Sequence, residues 1–314
     1  MDWRRHFSLG LVHYAAFPEV IQGKGPIVDT LRTVLCDNFF DAVELTWVHD
    51  EADKAAVAKL LPLSGCQTLF SGGPAFLIGG ANLSALNQTE RQAAVATACD
   101  LVDQALRFGA QSLMVISGPD PGPALRPAAK EALVLSLQTV AGYAAEKSND
   151  NFMITIEPFD REIHRKQLLG PTIEAIEITR AVRAKTPNFG LTLDLSHMTQ
   201  LGEDPIASLA LAGDCLAHVH LANCVIADPE HPLCGDHHPR FGHPDGEIDV
   251  TDLTEFLRAL ADTPFINRGG WRGTRPVVSL EVIPQPGENV WLNLAHSKRA
   301  FQLAWAMAQD AYGA

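Results

Sequence analysis

Four apolar runs in the second half of the chain carry side chains that bind metal ions or move protons. FMITIE ends in Glu157, GLTLD ends in Asp194, and VVSLEV carries Glu281. LAHVHL carries two histidines, His218 and His220. Carboxylates gathered in one buried place repel each other by several kcal/mol unless they are protonated or bridged by a cation. If the four runs converge, these residue types therefore indicate a site for a divalent ion.

A repeated strand and helix unit would bring these residues together. Apolar, β-rich runs alternate with longer stretches whose apolar residues recur every three or four positions. Eight strands, each followed by a helix, predict an α/β fold, a single (β/α)8 TIM barrel. An open doubly wound sheet stays an alternative, although the Gly-rich phosphate turn after its first strand is absent. The predicted strands span 8–13, 42–47, 67–71, 112–117, 152–157, 190–194, 216–221 and 277–282.

Length and loop composition favour one domain. A chain of 314 residues with 46% hydrophobic content can bury one large core, so we expect residues 1–314 to form a single TIM-barrel domain. Residues 222–249, after the seventh strand, are rich in His, Pro, Gly and Asp. This composition predicts a long ordered loop with a functional role rather than a linker.

The active site of such a barrel lies at the C-terminal ends of its strands. Glu157, Asp194, one histidine and Glu281 are then expected on one face. We assign His220 because it lies closer to the strand end, which leaves His218 behind it. Three oxygen donors and one imidazole predict one divalent metal ion, with Mn²⁺ preferred over Co²⁺, Zn²⁺ or Mg²⁺.

Composition excludes several other classes of protein. The charge balance is 24 − 37 = −13 without a basic cluster, which disfavours a nucleic acid partner. No apolar run is long enough for a membrane span, and the first residues lack the apolar segment of a signal peptide. The six cysteines show no CxxC spacing and predict reduced thiols. We therefore expect a cytoplasmic protein without a membrane partner.

The motifs TIEPFDR, LDLSH, HVHLAN and LEV, with DHHPRFGHPDGEID in the loop, resemble the xylose isomerase-like TIM barrel superfamily. Its members include sugar phosphate isomerases and epimerases, inosose dehydratases and zinc-dependent apurinic endonucleases. Resemblance to the ketose 3-epimerase branch implies that Glu157, Asp194, His220 and Glu281 are the metal ligands. It also implies that His197 contacts substrate.

The endonuclease branch matches less well. Asp236 and His238 resemble its D-x-H pair, but Ser71 and Ser117 stand at strand ends where that branch has ligand histidines. A cluster of three zinc ions is therefore disfavoured. Within the epimerase branch, Ile163 stands where a carboxylate is expected, which leaves the sugar undefined.

Further residues of these loops complete the predicted site. His197 is placed with the catalytic Glu157 and Glu281, because an imidazole can protonate a departing oxygen or hold a substrate hydroxyl. Glu44, on the second strand, is expected in an ion pair whose partner the sequence does not identify. The remaining substrate contacts are predicted to be His238, Asp236, Arg161, Lys166 and His13.

Together these residues predict a divalent-metal-dependent isomerase or epimerase of a sugar, keto-sugar or polyol that works through an enediolate. The ion would polarise a carbonyl while Glu157 and Glu281 move the proton beside it. With one base and a leaving group, the same site would be a lyase acting on a keto-sugar, inosose or 3-keto-glycoside. A catalytically inactive barrel that serves as a binding subunit is the third alternative. The expected partner is a small-molecule carbohydrate, and homo-oligomer formation is left open.

Overall fold

The computed structural model describes residues 2–312, whose eight strands form one closed parallel barrel in the order of the chain. Closure comes from pairing of the last strand with the first, in the register Leu9↔Val278. The strands are β1 Ser8–Val12, β2 Ala42–Leu45, β3 Gln67–Ser71, β4 Ser112–Val115, β5 Met153–Ile156, β6 Phe189–Asp194, β7 Leu216–Leu221 and β8 Val277–Leu280. The predicted TIM barrel is confirmed.

Five strands, β1, β2, β4, β5 and β8, end one or two residues earlier than predicted. The apolar pattern continues past the last paired residue because the chain stays buried as it enters the loops above the barrel. Glu157 and Glu281 therefore follow their strands instead of lying within them, whereas Asp194 ends β6.

Helices surround the barrel, and several begin at side-chain caps that the sequence supplies. Asp50 accepts from two backbone N–H groups of α3, and Asp249 forms a capping box with Asp252 at α10. The helices are α1 His13–Ala16, α2 Ile27–Leu35, α3 Glu51–Ser64, α4 Gly73–Leu77, α5 Gln88–Arg107, α6 Arg126–Ser148, α7 Thr172–Arg183, α8 Leu195–Gln200, α9 Pro205–Ala212, α10 Val250–Ala261, α11 Pro264–Arg268 and α12 Val290–Ala308.

The hydrophobic core extends from the barrel interior to the inner faces of these helices. Nearly every strand residue is buried, as expected for a parallel sheet covered by helices. Phe7, Phe70, Phe189 and Phe301 are among the largest side chains that are fully enclosed. This packing fixes the strand ends from which the site residues project.

Residues 222–249, all of which the structure describes, contain isolated β-bridges but no helix or strand. Asn223 organises this segment: its Oδ1 accepts from the N–H of Ile248, and its Nδ2 donates to the carbonyl of Arg240. The carboxylate of Glu247 accepts from the N–H groups of Ile226 and Ala227. Local side-chain bonds thus order a long loop.

A cavity of about 520 Å³ lies at the N-terminal ends of the strands. His218 lines it, but Glu157, Asp194, His220 and Glu281 do not. In a TIM barrel the chemistry takes place at the opposite end. The size of this cavity therefore does not identify the active site.

Two further findings concern membranes and redox state. Within residues 2–312, no helix combines the length and apolar character that crossing a bilayer requires. All six cysteines are free thiols.

Candidate metal centre and active site

Glu157, Asp194, His220 and Glu281 converge at the C-terminal end of the barrel. One ligand atom from each residue lies within 4.8 Å of the corresponding atoms of the others. Strand pairing sets Asp194 directly beside His220. The exposed fraction of the four residues ranges from 0% for Asp194 and His220 to 8% for Glu281. The barrel thus gathers three carboxylates and one imidazole in a space that excludes water. We name these four residues the ligand cluster.

The His220 ring points its two nitrogens at different partners. Nδ1 lies 2.9 Å from Oε2 of Glu281 and 3.1 Å from Oε1 of Glu157. Nε2 lies 2.9 Å from Oε2 of Glu44. When Nε2 donates to Glu44, the lone pair of Nδ1 faces the ligand cluster, which makes Nδ1 the ligand atom.

Electrostatics at His220 reflect the surrounding negative charge. Burial lowers its pKa, but the carboxylates of Glu44, Glu157 and Glu281 outweigh burial and hold the pKa well above its ordinary value. A divalent cation and a proton compete for the same nitrogen. A cation would therefore replace the proton that these carboxylates retain on Nδ1.

Asp194 provides the test of whether the cluster fits a cation. Its Oδ1 caps α8 by accepting from the N–H groups of Ser196 and His197, at 2.6 and 3.2 Å. Its Oδ2 is buried without a hydrogen-bond partner and lies 3.9 Å from Nδ1 of His220. A buried carboxylate oxygen without a partner is costly unless a cation satisfies it. The donor set therefore fits a divalent ion of borderline hardness.

Glu157 differs from an ordinary carboxylate. Burial raises its pKa to about 7, even though the charges of His220 and His197 oppose the shift. A carboxyl group with such a pKa exchanges protons readily near neutral pH.

Glu44 and His218 lie beneath the ligand cluster. Oε2 of Glu44 contacts Nε2 of both histidines, at 3.0 Å for His218 and 2.9 Å for His220. Burial raises the pKa of Glu44, but the charges of His220 and His218 outweigh this and hold it well below its usual range. Nδ1 of His218 lies 2.9 Å from the carbonyl oxygen of Val277. The partner that the sequence left unidentified is thus a pair of histidines.

A second group of side chains lies beside the ligand cluster. Nε2 of His197 lies 3.8 Å from both Oε1 of Glu157 and Oδ1 of Asp236. Its ring packs against Phe159 at a tilt of 39°, with centroids 4.0 Å apart. Nε2 of His238 lies 2.7 Å from Oδ1 of Asp236. Three of the predicted residues, His197, Asp236 and His238, are therefore brought together next to Glu157.

Charges within this second group are paired. Burial lowers the pKa of His238, but Asp236 outweighs it and raises the pKa to about 10. Burial raises the pKa of Asp236, but His238 and then Arg165 hold it well below its usual value. Arg165 completes the arrangement with a 2.5 Å contact from Nε to Oδ2 of Asp236. His238 also lies 4.0 Å from Glu281, so this group borders the ligand cluster on two sides.

Three residues predicted as substrate contacts lie outside the ligand cluster and the second group. The guanidinium of Arg161 is bonded to Glu174 in α7 and to the carbonyl of Leu168. Lys166 is exposed. His13 begins α1 instead of ending β1, and its Nε2 lies 2.9 Å from the hydroxyl of Thr30 in α2. Local contacts thus occupy the side chains of Arg161 and His13, whereas Lys166 is exposed.

Sequence reasoning missed two residues near the site. Arg165 is separated from Asp236 by 71 residues, and a single polar residue in a polar loop carries no periodic signal. Tyr14 donates to Oγ of Ser71 at 2.8 Å. Burial and then the charges of Glu281 and Glu44 raise the pKa of Tyr14 well above its ordinary value, which indicates that its hydroxyl lies near the site.

Comparison with known proteins identifies relatives at the level of the fold. The sequence model of the xylose isomerase-like TIM barrel family matches residues 39–286. A search of curated proteins gave no match.

Solved structures similar to this chain include a D-tagatose 3-epimerase-like protein, with a TM-score of 0.71 and 16% identity over 96% of this chain and 98% of that one. The IolI protein with a bound zinc atom gives a TM-score of 0.65 and 17% identity, over 97% of this chain and 98% of that one. An AP endonuclease of family 2 from Brucella melitensis gives a TM-score of 0.63 and 19% identity, over 92% of this chain and 96% of that one. At these identities the likeness establishes a shared fold.

Proposed function

The chain belongs to the xylose isomerase-like TIM barrel family, and on that premise we propose that it is a divalent-metal-dependent isomerase or epimerase of sugars or keto-sugars. The observation that carries the proposal is the ligand cluster, with its four ligand atoms within 4.8 Å of one another. Relatives with this fold include proteins described as a D-tagatose 3-epimerase-like protein and an L-ribulose 3-epimerase.

The proposed ligands of the ion are Glu157, Asp194, His220 and Glu281. When bound, one divalent ion, Mn²⁺ in our proposal, would act as a Lewis acid towards the carbonyl of a hydroxy-ketone. Glu44 holds the His220 ring so that Nδ1 faces the cluster. The cation would also satisfy Oδ2 of Asp194, which is buried without a hydrogen-bond partner.

Proton transfer is assigned to the two glutamates. Glu157 and Glu281 approach the same nitrogen of His220 from two strands that are not neighbours, β5 and β8. Each carboxylate can use one oxygen as a ligand and the other to take or return a proton beside the carbonyl. Burial favours the protonated form of Glu157, which suits the stage at which this carboxyl group holds the substrate proton. Removal of the proton on one side of the enediolate and its return on the other changes the configuration of that carbon.

Neighbouring groups position the substrate in this proposal. The His197 ring packs against Phe159, and its Nε2 lies 3.8 Å from Oε1 of Glu157, where it can hold a substrate hydroxyl. The enclosure of these groups excludes water, which strengthens each of their electrostatic contacts with the substrate.

A lyase acting on a keto-sugar is the second candidate, and one observation favours it. The raised pKa of His238, about 10, keeps a proton on a ring that lies 4.0 Å from Glu281. Such a group could protonate an oxygen that leaves from the carbon next to the enediolate. Loss of that oxygen would convert the same first step into an elimination.

The test is hydrogen exchange in D₂O. Protein loaded with Mn²⁺ is incubated with a panel of ketoses and 3-keto-glycosides, and NMR follows deuterium at the carbon beside the carbonyl. Incorporation with all substituents retained supports an isomerase or epimerase, whereas release of an alcohol or water supports the lyase. Metal analysis should find about one divalent ion per chain.

A substitution links the exchange to the site. Glu281→Gln should lower deuterium incorporation by about 10²–10⁴-fold, the usual contribution of a general acid or base. Glu255→Gln, at an exposed position of α10, is the control and should exchange at the parental rate. Full exchange by the Glu281 variant, or the absence of bound metal, would refute the proposal.

Three wider features accompany this function. We propose that the chain works as a single domain on a small carbohydrate, with neither nucleic acid nor membrane as partner. The six free thiols support a location in the reducing cytoplasm. Self-association as a homo-oligomer is compatible with this function.

A further inference from the structure

A cavity of about 370 Å³ opens beside the second group of site residues. Its lining residues follow the C-terminal ends of three adjacent strands, β3, β4 and β5, so it lies on the same face of the barrel as the ligand cluster. Binding pockets for small molecules usually measure about 300–1,000 Å³. The cavity is therefore large enough for a ligand group of its own.

A short series of contacts joins this cavity to the ligand cluster. Arg165 lines the cavity and contacts Asp236 at 2.5 Å. Asp236 lies 3.8 Å from His197, which lies 3.8 Å from Glu157. In addition, the N–H of Glu157 donates to the carbonyl of Val115, at the end of the strand that leads into the cavity wall. The cavity thus lies near the ligand cluster, with Arg165, Asp236 and His197 between the two.

The walls of the cavity combine apolar and polar surface. Phe76, Leu77, Ile116 and Pro119 supply apolar groups. The polar groups come from Asn82, Glu90, His164, Arg165 and Gln167. A sugar ring has an apolar C–H face and a rim of hydroxyls, and such mixed walls complement both.

Several of the polar groups have bonding capacity to spare. Among the described residues, the only hydrogen bond of the Arg165 side chain is made by Nε, so its two terminal nitrogens are available. Nδ1 of His164 accepts from the N–H of Asp236, which leaves Nε2 available. Glu90 is exposed, and its carboxylate forms no ion pair with Arg165 within the described part of the chain. Hydroxyl groups can both donate to and accept from such groups.

The charges of the cavity argue against an anionic ligand. The positive charge of Arg165 is already compensated by Asp236, and Glu90 adds a negative charge. The cavity therefore has no surplus positive charge for a phosphate or carboxylate group.

We propose that this cavity is an outer subsite for a second, uncharged sugar ring, so that the substrate is a glycosylated keto-sugar rather than a free or phosphorylated monosaccharide. The inference rests on the proposed function, because the ligand cluster must hold the reacting unit. Glu90 and Arg165 bind hydroxyls of the second ring, and the apolar wall packs against its C–H face.

The experiment measures binding by calorimetry with the Mn²⁺-loaded protein. The probes are lactulose and isomaltulose, in which a second ring is attached to fructose, together with fructose and fructose 6-phosphate. The readout is the Kd of fructose divided by the Kd of the tighter disaccharide. We expect a ratio of about ten or more, which corresponds to about 1.4 kcal/mol. A ratio near one, or tighter binding of fructose 6-phosphate than of both disaccharides, would overturn the proposal.

Three variants locate the effect. Ala81→Trp fills the cavity and should bring the ratio close to one, and Glu90→Gln, which changes little else, should lower the ratio at least about threefold. Leu86→Trp adds the same side chain at an exposed position that does not line the cavity, and it should keep the parental ratio. A parental ratio in both cavity variants would also overturn the proposal.

Deuterium exchange separates this proposal from the proposed function. A high ratio without exchange in any sugar would keep the subsite and reject the isomerase. Exchange with fructose together with a ratio near one would keep the isomerase and reject the subsite.

Discussion

Glu44 supports the ligand cluster from below through a single oxygen. Because its carboxylate accepts from Nε2 of His220, it fixes the ring tautomer that leaves Nδ1 for a cation. We predict that Glu44→Gln weakens divalent metal affinity by about 10–100-fold, the usual effect of losing such a supporting partner. Titration of metal-free protein with Mn²⁺, followed by electron paramagnetic resonance of the free ion, measures the change.

The control for this prediction is Glu131→Gln, at an exposed position of α6 that lies outside the site. It should bind metal as the parent does. Circular dichroism should show that both variants are folded. Parental affinity in the Glu44 variant would mean that the tautomer of His220 does not depend on this carboxylate.

Residues at strand ends were easier to predict than residues in loops. The positions of Glu157, Asp194, His220 and Glu281 follow from strand order alone, because every parallel strand ends on the same face. Arg161 and Arg165 occupy the same loop, yet one bonds to α7 and the other to Asp236. Only the packing of distant segments decides which loop cation reaches the site, and a local pattern does not contain that information.

At the scale of elements, an ion-pair group attaches helix α7 to the loop after β5. Glu174 in α7 contacts Arg161 at 2.5 Å and Lys130 of α6 at 3.0 Å. Burial raises the pKa of Glu174, but the hydrogen bonds from Arg161 and then Lys130 outweigh it and hold the pKa below its ordinary value of 4.5. The carboxylate form is thus favoured in the folded protein.

We predict that Glu174→Gln lowers the free energy of unfolding by about 1 kcal/mol at pH 7, as expected for a partly exposed ion-pair group. A pKa that is lower in the folded state stabilises the protein above the unfolded value of 4.5, and this stabilisation is lost as pH falls through the folded pKa. The difference in unfolding free energy between parent and variant, measured by urea unfolding, should therefore become smaller below about pH 4.5.

Glu177→Gln is the matched control, because Glu177 is exposed on the same helix. Its unfolding free energy should stay within about 0.5 kcal/mol of the parent at both pH values. If the difference in unfolding free energy between parent and Glu174 variant does not change with pH, the charge of Glu174 does not stabilise the fold.

Element boundaries show what a sequence pattern misses. His13 continues the apolar run of the first strand, but the hydrogen bonds between β1 and β2 end at Val12 and the chain turns into α1. Burial then lowers the pKa of His13 to about 3, so the ring stays neutral beside Thr30. A pattern of apolar residues reports burial and cannot show where strand pairing stops.

At the scale of the whole molecule, the ligand cluster joins four consecutive strands, β5 to β8, and binding of a cation there should stabilise the barrel. A ligand at 100 times its Kd adds about 2.7 kcal/mol to the folded state. We predict that saturating Mn²⁺ raises Tm by roughly 5 °C. Differential scanning calorimetry measures the shift.

Glu281→Gln should show a smaller rise in Tm under the same conditions, because it removes one charged ligand. An equal rise in both proteins would place the stabilising ion elsewhere.

Barrel closure itself could be predicted, since eight strand and helix units leave few other arrangements. The course of residues 222–249 could not, because its hydrogen bonds use individual side chains such as Asn223 and Glu247. Such bonds have no repeating spacing. The same segment brings Asp236 and His238 beside the ligand cluster. The sequence motif singled out these two residues, but their contacts with each other and with His197 could not be predicted from it.

The enclosure of the reacting groups has a consequence for the rate of turnover. Asp194 and Glu157 are 0% and 2% exposed, and the segment that carries Asp236 and His238 packs beside them. We expect a sugar to reach these enclosed carboxylates when that segment moves outward, and friction with the solvent slows motions of this kind. We therefore predict that kcat falls as the viscosity of the solution is raised with Ficoll or glycerol. A kcat that does not change with viscosity would mean that movement of this segment does not limit the rate.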